Sequence, residues 1–289
     1  QLSPLSSRPA YTETENELTV KANKRTFIFS KKDGQLKGVS VDNRKISFAN
    51  GPRFIGARRA DRSLDQFYNH DDEKAKEKDR TYSEFPDAAV FTKLDVKEDG
   101  GNLVVTANYK LGNLDKTQWT INPSGELALD YTYNFSGVVD LMGIRFDYPE
   151  DQVISKRWLG AGPYRVWQNR IHGTQYDVWE NDYNDPISGE TFTYPEFKGY
   201  FGDVSWMNIQ TKEGTISLTN ETPDAYIGVY QPRDGRDRLL YTLPESGISV
   251  LNVIPPVRNK VNSTDLCGPS SQPKWVNGPQ TGRVIFRFM

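Results

Sequence analysis

The sequence predicts an all-β fold, one large antiparallel domain. Three observations predict it. Apolar residues recur at a period of two through most of the chain. The runs are separated by turn signals such as Asp33-Gly34, Asp99-Gly100-Gly101-Asn102 and Asn122-Pro123-Ser124-Gly125. No segment combines helix-forming residues with an apolar stripe. A chain of 289 residues can bury a large core, and big all-β domains reach this length.

Residues 1–17 have no apolar period and read as a linker or extended arm, so the domain is expected over 18–289. Thr26–Phe29 and Leu36–Val41 flank the first turn and form a hairpin. Val90–Val96 and Leu103–Tyr109 form a second, and Thr117–Ile121 with Leu127–Phe135 a third. Leu127, Leu129, Tyr131, Tyr133 and Phe135 alternate, which puts one face on a core. Further strands are expected at Gly143–Tyr148, Ser205–Ile209, Thr215–Thr219, Tyr226–Tyr230, Ser249–Ile254 and Val284–Phe288. The charged run Asp71–Arg80 lacks an apolar face and reads as a solvated loop. Strands do not alternate with amphipathic helices, so no (β/α) barrel is encoded. The longest loops are expected around 56–86 and 160–200.

Composition excludes several functions. Lys and Arg (36) nearly balance Asp and Glu (38), so the basic excess of a nucleic-acid-binding domain is missing. No apolar run approaches the ~18 residues of a membrane span. The single cysteine, Cys267, cannot form an intrachain disulfide, and no signal-peptide pattern is visible at Gln1.

No catalytic set emerges. His70 and His172 belong to no zinc-spaced cluster, and no Gly-x-Ser-x-Gly elbow is present. Glycoside hydrolysis needs two carboxylates across the scissile bond. Glu180, Asp182, Asp185, Glu190, Glu196 and Asp203 fall in one stretch, but most of them read as loop solvation and Asx-type turns. Asp182-Tyr183-Asn184-Asp185 with Glu190 lacks the ordered spacing and glycine of a calcium loop. No cofactor and no metal are expected. Asn134, Asn220 and Asn262 each open a glycosylation acceptor pattern, which matters only in a eukaryotic secretory pathway.

The strongest signal is aromatic. Four of the six tryptophans lie between Trp158 and Trp206, with Tyr194, Phe197, Tyr200 and Phe201 among them. Sugar rings have apolar faces that stack on aromatic rings while polar groups bond the hydroxyls. Core packing uses the same residues. Trp206, at the head of a strand, reads first as core; Trp167 and Phe197, in Gly/Pro-rich loops, read either way.

This stretch resembles the carboxy-terminal, small-chain domain of glycoside hydrolase family 2 β-galactosidases. Gly160, Gly162, Pro163 and Arg170 match the family's G-x-G-P-x-E-N-Y-x-D-R motif, while Arg165, Val166, Trp167 and Asn169 depart from it. Pro195, Gly199, Asp203, Val204 and Trp206 match P-Q-E-N-G-x-R-x-D-V-R-W, while Glu196, Phe197, Lys198, Phe201 and Ser205 depart. Phe29–Leu36, Ile46–Pro52 and Met142–Phe146 extend the resemblance upstream. It spans residue 18 to the end and thins after Tyr230. The variant wording is similar to a divergent branch in polysaccharide-degrading gut Bacteroidetes, which carries an expected periplasmic or secreted location.

The resemblance implies a large antiparallel β-supersandwich, similar to galactose mutarotase. It implies an accessory role: the catalytic glutamates of the family lie in a separate (β/α) barrel, against which this domain packs while lending loops to the substrate pocket. Carbohydrate, a galactoside or an acidic glycan, is then the expected ligand, with Arg165, Trp167, Glu196, Phe197, Lys198 and Trp206 as candidate binding residues. Arg165 or Lys198 would suit an acidic sugar, since a guanidinium grips a carboxylate with two parallel hydrogen bonds. Three alternatives stay open: a free-standing carbohydrate-binding protein, a mutarotase-like aldose epimerase, and a structural module whose aromatics bury against a partner, a homo-oligomer included.

Overall fold

The computed structural model describes residues 8–59, 82–182, 199–229, 244–256 and 268–289. The amino-terminal strands are β1 (Ala10–Glu13), β2 (Glu17–Ala22), β3 (Arg25–Ser30), β4 (Leu36–Val41), β5 (Arg44–Ile46), β6 (Ala49–Arg59) and β7 (Tyr82–Glu84). The middle of the chain forms β8 (Val90–Asp99), β9 (Asn102–Lys110), β10 (Leu114–Ile121), β11 (Leu127–Val139), β12 (Leu141–Asp147), β13 (Val153–Gly162) and β14 (Gln175–Asp182). The last five are β15 (Trp206–Thr211), β16 (Gly214–Asn220), β17 (Tyr226–Gly228), β18 (Ile248–Val253) and β19 (Lys274–Phe288).

These strands make two antiparallel sheets. The first runs β1-β2-β3-β4-β6-β12-β18-β17, with β5 on β4 and β7 on β6. The second runs β14-β13-β15-β16-β19-β11-β10-β9-β8. The three expected hairpins form, each held by its turn chemistry. At the third, the Asn122 side-chain oxygen accepts from the backbone N–H of Ser124 and of Glu126, both at 3.0 Å. Gly125 then supplies the positive φ of 80° that closes the loop. No helix among the described residues is long and apolar enough to cross a membrane.

The two sheets face each other across an aromatic core. Phe48 stacks on Phe146 of β12 at 4.6 Å between ring centroids. On its other side Phe48 meets Phe286 and Phe288 of β19 at 5.0 and 5.3 Å. Trp119 of β10 joins Phe29 of β3 and Phe146 of β12, each at 6.0 Å. All six rings are fully buried, so the period-two pattern read along each strand is the pattern of this core.

Several sequence expectations change. Within the segment read as a linker or extended arm, Ala10–Glu13 pairs with Leu18–Lys21 as an exposed edge strand. The loop expected over 160–200 contains β14, which pairs along β13 from Gln175 to Asp182. β13 itself was not foreseen: fully buried Lys156 occupies an inward position where alternation calls for an apolar residue. The last strand starts at Lys274, ten residues before the expected start at Val284, because β11 pairs with it from Val139 onward. Within the loop expected over 56–86, β6 continues to Arg59 and β7 begins at Tyr82; the intervening charged run lies outside the described residues.

Phe48 touches both sheets, so Phe48→Ala removes contacts from each. Urea denaturation is expected to show a loss of about 3–5 kcal/mol. A loss under about 1 kcal/mol would mean that the core does not close on this ring.

Candidate functional site

The two motif segments of the central stretch are folded against each other. β13 ends at Gly162, and Val166 and Tyr200 then exchange backbone hydrogen bonds: Val166 N–H donates to Tyr200 O at 2.7 Å and Tyr200 N–H to Val166 O at 2.9 Å. Ala161 N–H donates to Gly202 O at 2.9 Å. The glycines make this approach sterically allowed. A Cβ on Gly199 would lie 2.2 Å from the Val166 carbonyl oxygen, and one on Gly162 would lie 2.4 Å from the Trp179 indole. Trp179 holds its place by donating to the carbonyls of Gly160 and Gln175, each at 3.2 Å.

This fold-back lays apolar side chains onto the outer face of the first sheet. Val166, Trp167 and Tyr200 pack with Ile55 and Ala57 of β6, Leu141 of β12, Leu251 of β18 and Ile254, a second core outside the sandwich. Trp167 meets Tyr200 edge-on at 5.5 Å. Burial pushes the Tyr200 hydroxyl well above its ordinary pKa, so it stays neutral. The next residues are tied down as well. Gln168 N–H donates to Pro255 O at 3.1 Å, and its side-chain amide donates to the carbonyls of Ser270 and Gln272 at 2.9 and 2.8 Å. Asn169 donates to Ser271 Oγ at 2.9 Å.

The sequence-predicted binding residues separate under this geometry. Arg165 is buried, its guanidinium 5.9 Å from the centre of the Phe201 ring. Trp167 is 1% exposed, so its rings are occupied by packing and leave no face for a sugar. Trp206 is half-buried at the head of β15. Glu196, Phe197 and Lys198 lie outside the described residues, as do Asp185, Glu190, His70, Asn262 and Cys267. His172 is exposed, and so are Glu180, Asp182 and Asp203. Among the described residues no group of three or more His, Cys, Asp or Glu is placed to hold a metal ion.

What the structure brings together around Trp206 is a row across the outer face of the second sheet. Trp206 stands opposite Leu159 of β13, and Leu159 opposite Val178 of β14. Directly opposed residues share a face. Tyr176, two residues before Val178, adds its ring to that face and hydrogen-bonds through its hydroxyl to Ser205 Oγ at 2.6 Å. Tyr176 and Val178 are 59% and 42% exposed, which makes this an accessible aromatic and aliphatic surface at an edge of the sheet. Sequence reasoning missed Leu159, Tyr176 and Val178. The alternation of Tyr176 and Val178 was the available signal, but a strand exposed on both faces carries no strong period.

The family model for the beta galactosidase small chain matches residues 21–258, which include both motif segments and this surface. The chain belongs to that family. A search of curated proteins finds no match. Among solved structures, the chain is similar to galactose 1-epimerase from Lactobacillus acidophilus NCFM, with a TM-score of 0.51 at 11% identity, covering 98% of this chain and 99% of that one. It is also similar to the GalM/aldose epimerase homologue from C. elegans, with a TM-score of 0.42 at 7% identity, covering 97% and 99%. At such identities the first likeness speaks for the fold alone. The β-galactosidase small-chain family and the supersandwich architecture thus agree with the two sheets described above, and the fold is galactose mutarotase-like.

The burial difference between two tryptophans is measurable. Trp167→Ala is expected to cost about 3–5 kcal/mol of stability by urea unfolding, as for a truncated core aromatic. Trp206→Ala, at a half-buried position, should cost no more than about 2 kcal/mol. The reverse order would contradict the placement of the loop.

Proposed function

We propose that this chain acts as the accessory domain of a family 2 glycoside hydrolase of the β-galactosidase type. It supplies no catalytic carboxylate pair of its own and helps to shape the substrate pocket of a catalytic (β/α) barrel. Membership of the small-chain family over residues 21–258 is the observation that carries this reading. The buried side chains Val166, Trp167 and Tyr200 support it by fastening the central stretch to the first sheet. That anchoring leaves the Trp206–Leu159–Val178 row and Tyr176 available to a carbohydrate at the rim or to the barrel. Trp206 and residues 196–198 are the proposed sugar-facing groups. Arg165 and Trp167, both buried, act as support. Recognition of an acidic sugar, if the substrate carries one, then falls to Lys198 rather than to buried Arg165.

The test uses the chain together with its catalytic barrel. Trp206→Ala and Tyr176→Ala are expected to lower kcat/KM by about tenfold, equivalent to 1.4 kcal/mol of lost transition-state binding. Assays on paired neutral and uronic-acid glycosides identify the sugar class. Unchanged turnover in both variants, with the domain folded, would remove the pocket-shaping role.

The likeness in fold to galactose 1-epimerase favours one second reading, an aldose epimerase. That chemistry needs a general acid and a general base on opposite sides of a sugar ring. Polarimetry of freshly dissolved α-D-galactose with the isolated chain decides it. Acceleration would favour the epimerase, and the spontaneous rate would leave the accessory reading alone.

A further inference from the structure

A second polar site lies at the start of β6 and the end of β12. The register of these strands puts Arg53 directly opposite Arg145. Like charges placed so are destabilising unless they are neutralised. Here carboxylates do it. Asp147 accepts from Arg53, and also from the Asn50 side-chain amide at 2.8 Å. Glu84 lies 3.7 Å from Arg145, whose guanidinium also donates to the Glu245 carbonyl. Asp87 lies close enough to both arginines to feel their charge. Burial lowers the Arg145 pKa, with Arg53 adding to the effect, and burial raises that of Asp87, so the network is partly removed from water.

This network borders a cavity of about 590 Å³, a volume in the range of small-molecule sites. Among the described residues that line it, Asn50, Arg53 and Arg145 carry donors, and Asp147, Glu150 and Glu245 carry acceptors. The chemistry selects among ligands. An anion would meet the carboxylates among the described lining residues. A cation would meet the guanidiniums of Arg53 and Arg145. No described group of three acidic or imidazole side chains is placed to bind a metal. A neutral ligand rich in hydroxyls avoids both penalties, because each hydroxyl donates and accepts at once. Charge-assisted bonds to fixed guanidinium and carboxylate groups are also the stronger kind.

We propose that this cavity is a binding site for a neutral sugar residue, separate from the Trp206 surface. It stands on the charge balance of its own walls and does not depend on the accessory reading.

The experiment is amide chemical-shift mapping of the 289-residue chain with D-galactose, D-galacturonate and D-galactosamine as probes. D-galactose is expected to shift the amides of Asn50, Arg145 and Gly247 with a dissociation constant on the order of millimolar. The two charged sugars should bind at least about tenfold more weakly. Asp147→Asn should weaken D-galactose by about tenfold. If that variant fails to fold, the comparison of the three sugars on the unaltered chain still decides. No shift at these amides, or tighter binding of either charged sugar, overturns the proposal. Shifts confined to Tyr176, Ser205 and Trp206 overturn it as well, and leave the accessory reading in place.

Discussion

The reciprocal hydrogen bonds between Val166 and Tyr200 are the constraint on which the central stretch depends. They join two segments far apart in sequence and press Val166, Trp167 and Tyr200 onto the first sheet. Without them the outer faces of Ile55, Ala57, Leu141 and Leu251 would lie open to water, at a cost of about 25 cal/mol for each Å² of apolar surface. Gly199 makes the contact possible, since any side chain there would collide with the Val166 carbonyl. The aligned glycines of both motifs are therefore explained by close approach of backbone and indole, independently of any ligand.

A division of labour among the aromatics follows. Trp119, Phe48 and Phe146 close the sandwich between the sheets. Trp158 and Phe201 meet edge-on at 4.8 Å where β13 leaves the core. Trp167 and Tyr200 build the outer core. Only Trp206, Tyr176 and the aliphatic groups beside them are left facing outward among the described residues of the stretch, together with exposed Tyr164 and Ile171. An aromatic-rich segment thus spends most of its rings on holding itself in place, and offers a smaller surface than its composition suggests.

Much of the fold was legible because its signals are local. The three hairpins announce themselves through turn residues whose side chains or φ angles close the loops, as Asn122 and Gly125 do. β2, and β11 from Leu129 to Phe135, alternate buried and less buried positions. What escaped notice is what depends on partners. β13 hides behind Lys156, a buried lysine at an inward position, and β14 is exposed along nearly its whole length. The part of β19 before Val284 contains Gly278, Pro279 and Gly282, and is a strand because β11 runs beside it. Of the candidate site, the sequence marked the stretch through its motifs. It could not tell Trp167 from Trp206, because the difference is made by the outer face of a sheet that brings β6, β12 and β18 together from separate parts of the chain. The Arg53–Arg145 pair was invisible for the same reason: the two meet only through strand register.

Hydrogen exchange at the Val166 and Tyr200 amides tests this account most directly. Loop amides usually open locally with little cost, whereas core amides exchange through global unfolding. The account predicts that these two exchange as slowly as Leu251 and Ile144 in the strands beneath them. Exchange as fast as at exposed Tyr164 and Ile171 would contradict it, because the central stretch would then be a loosely held loop rather than a second core.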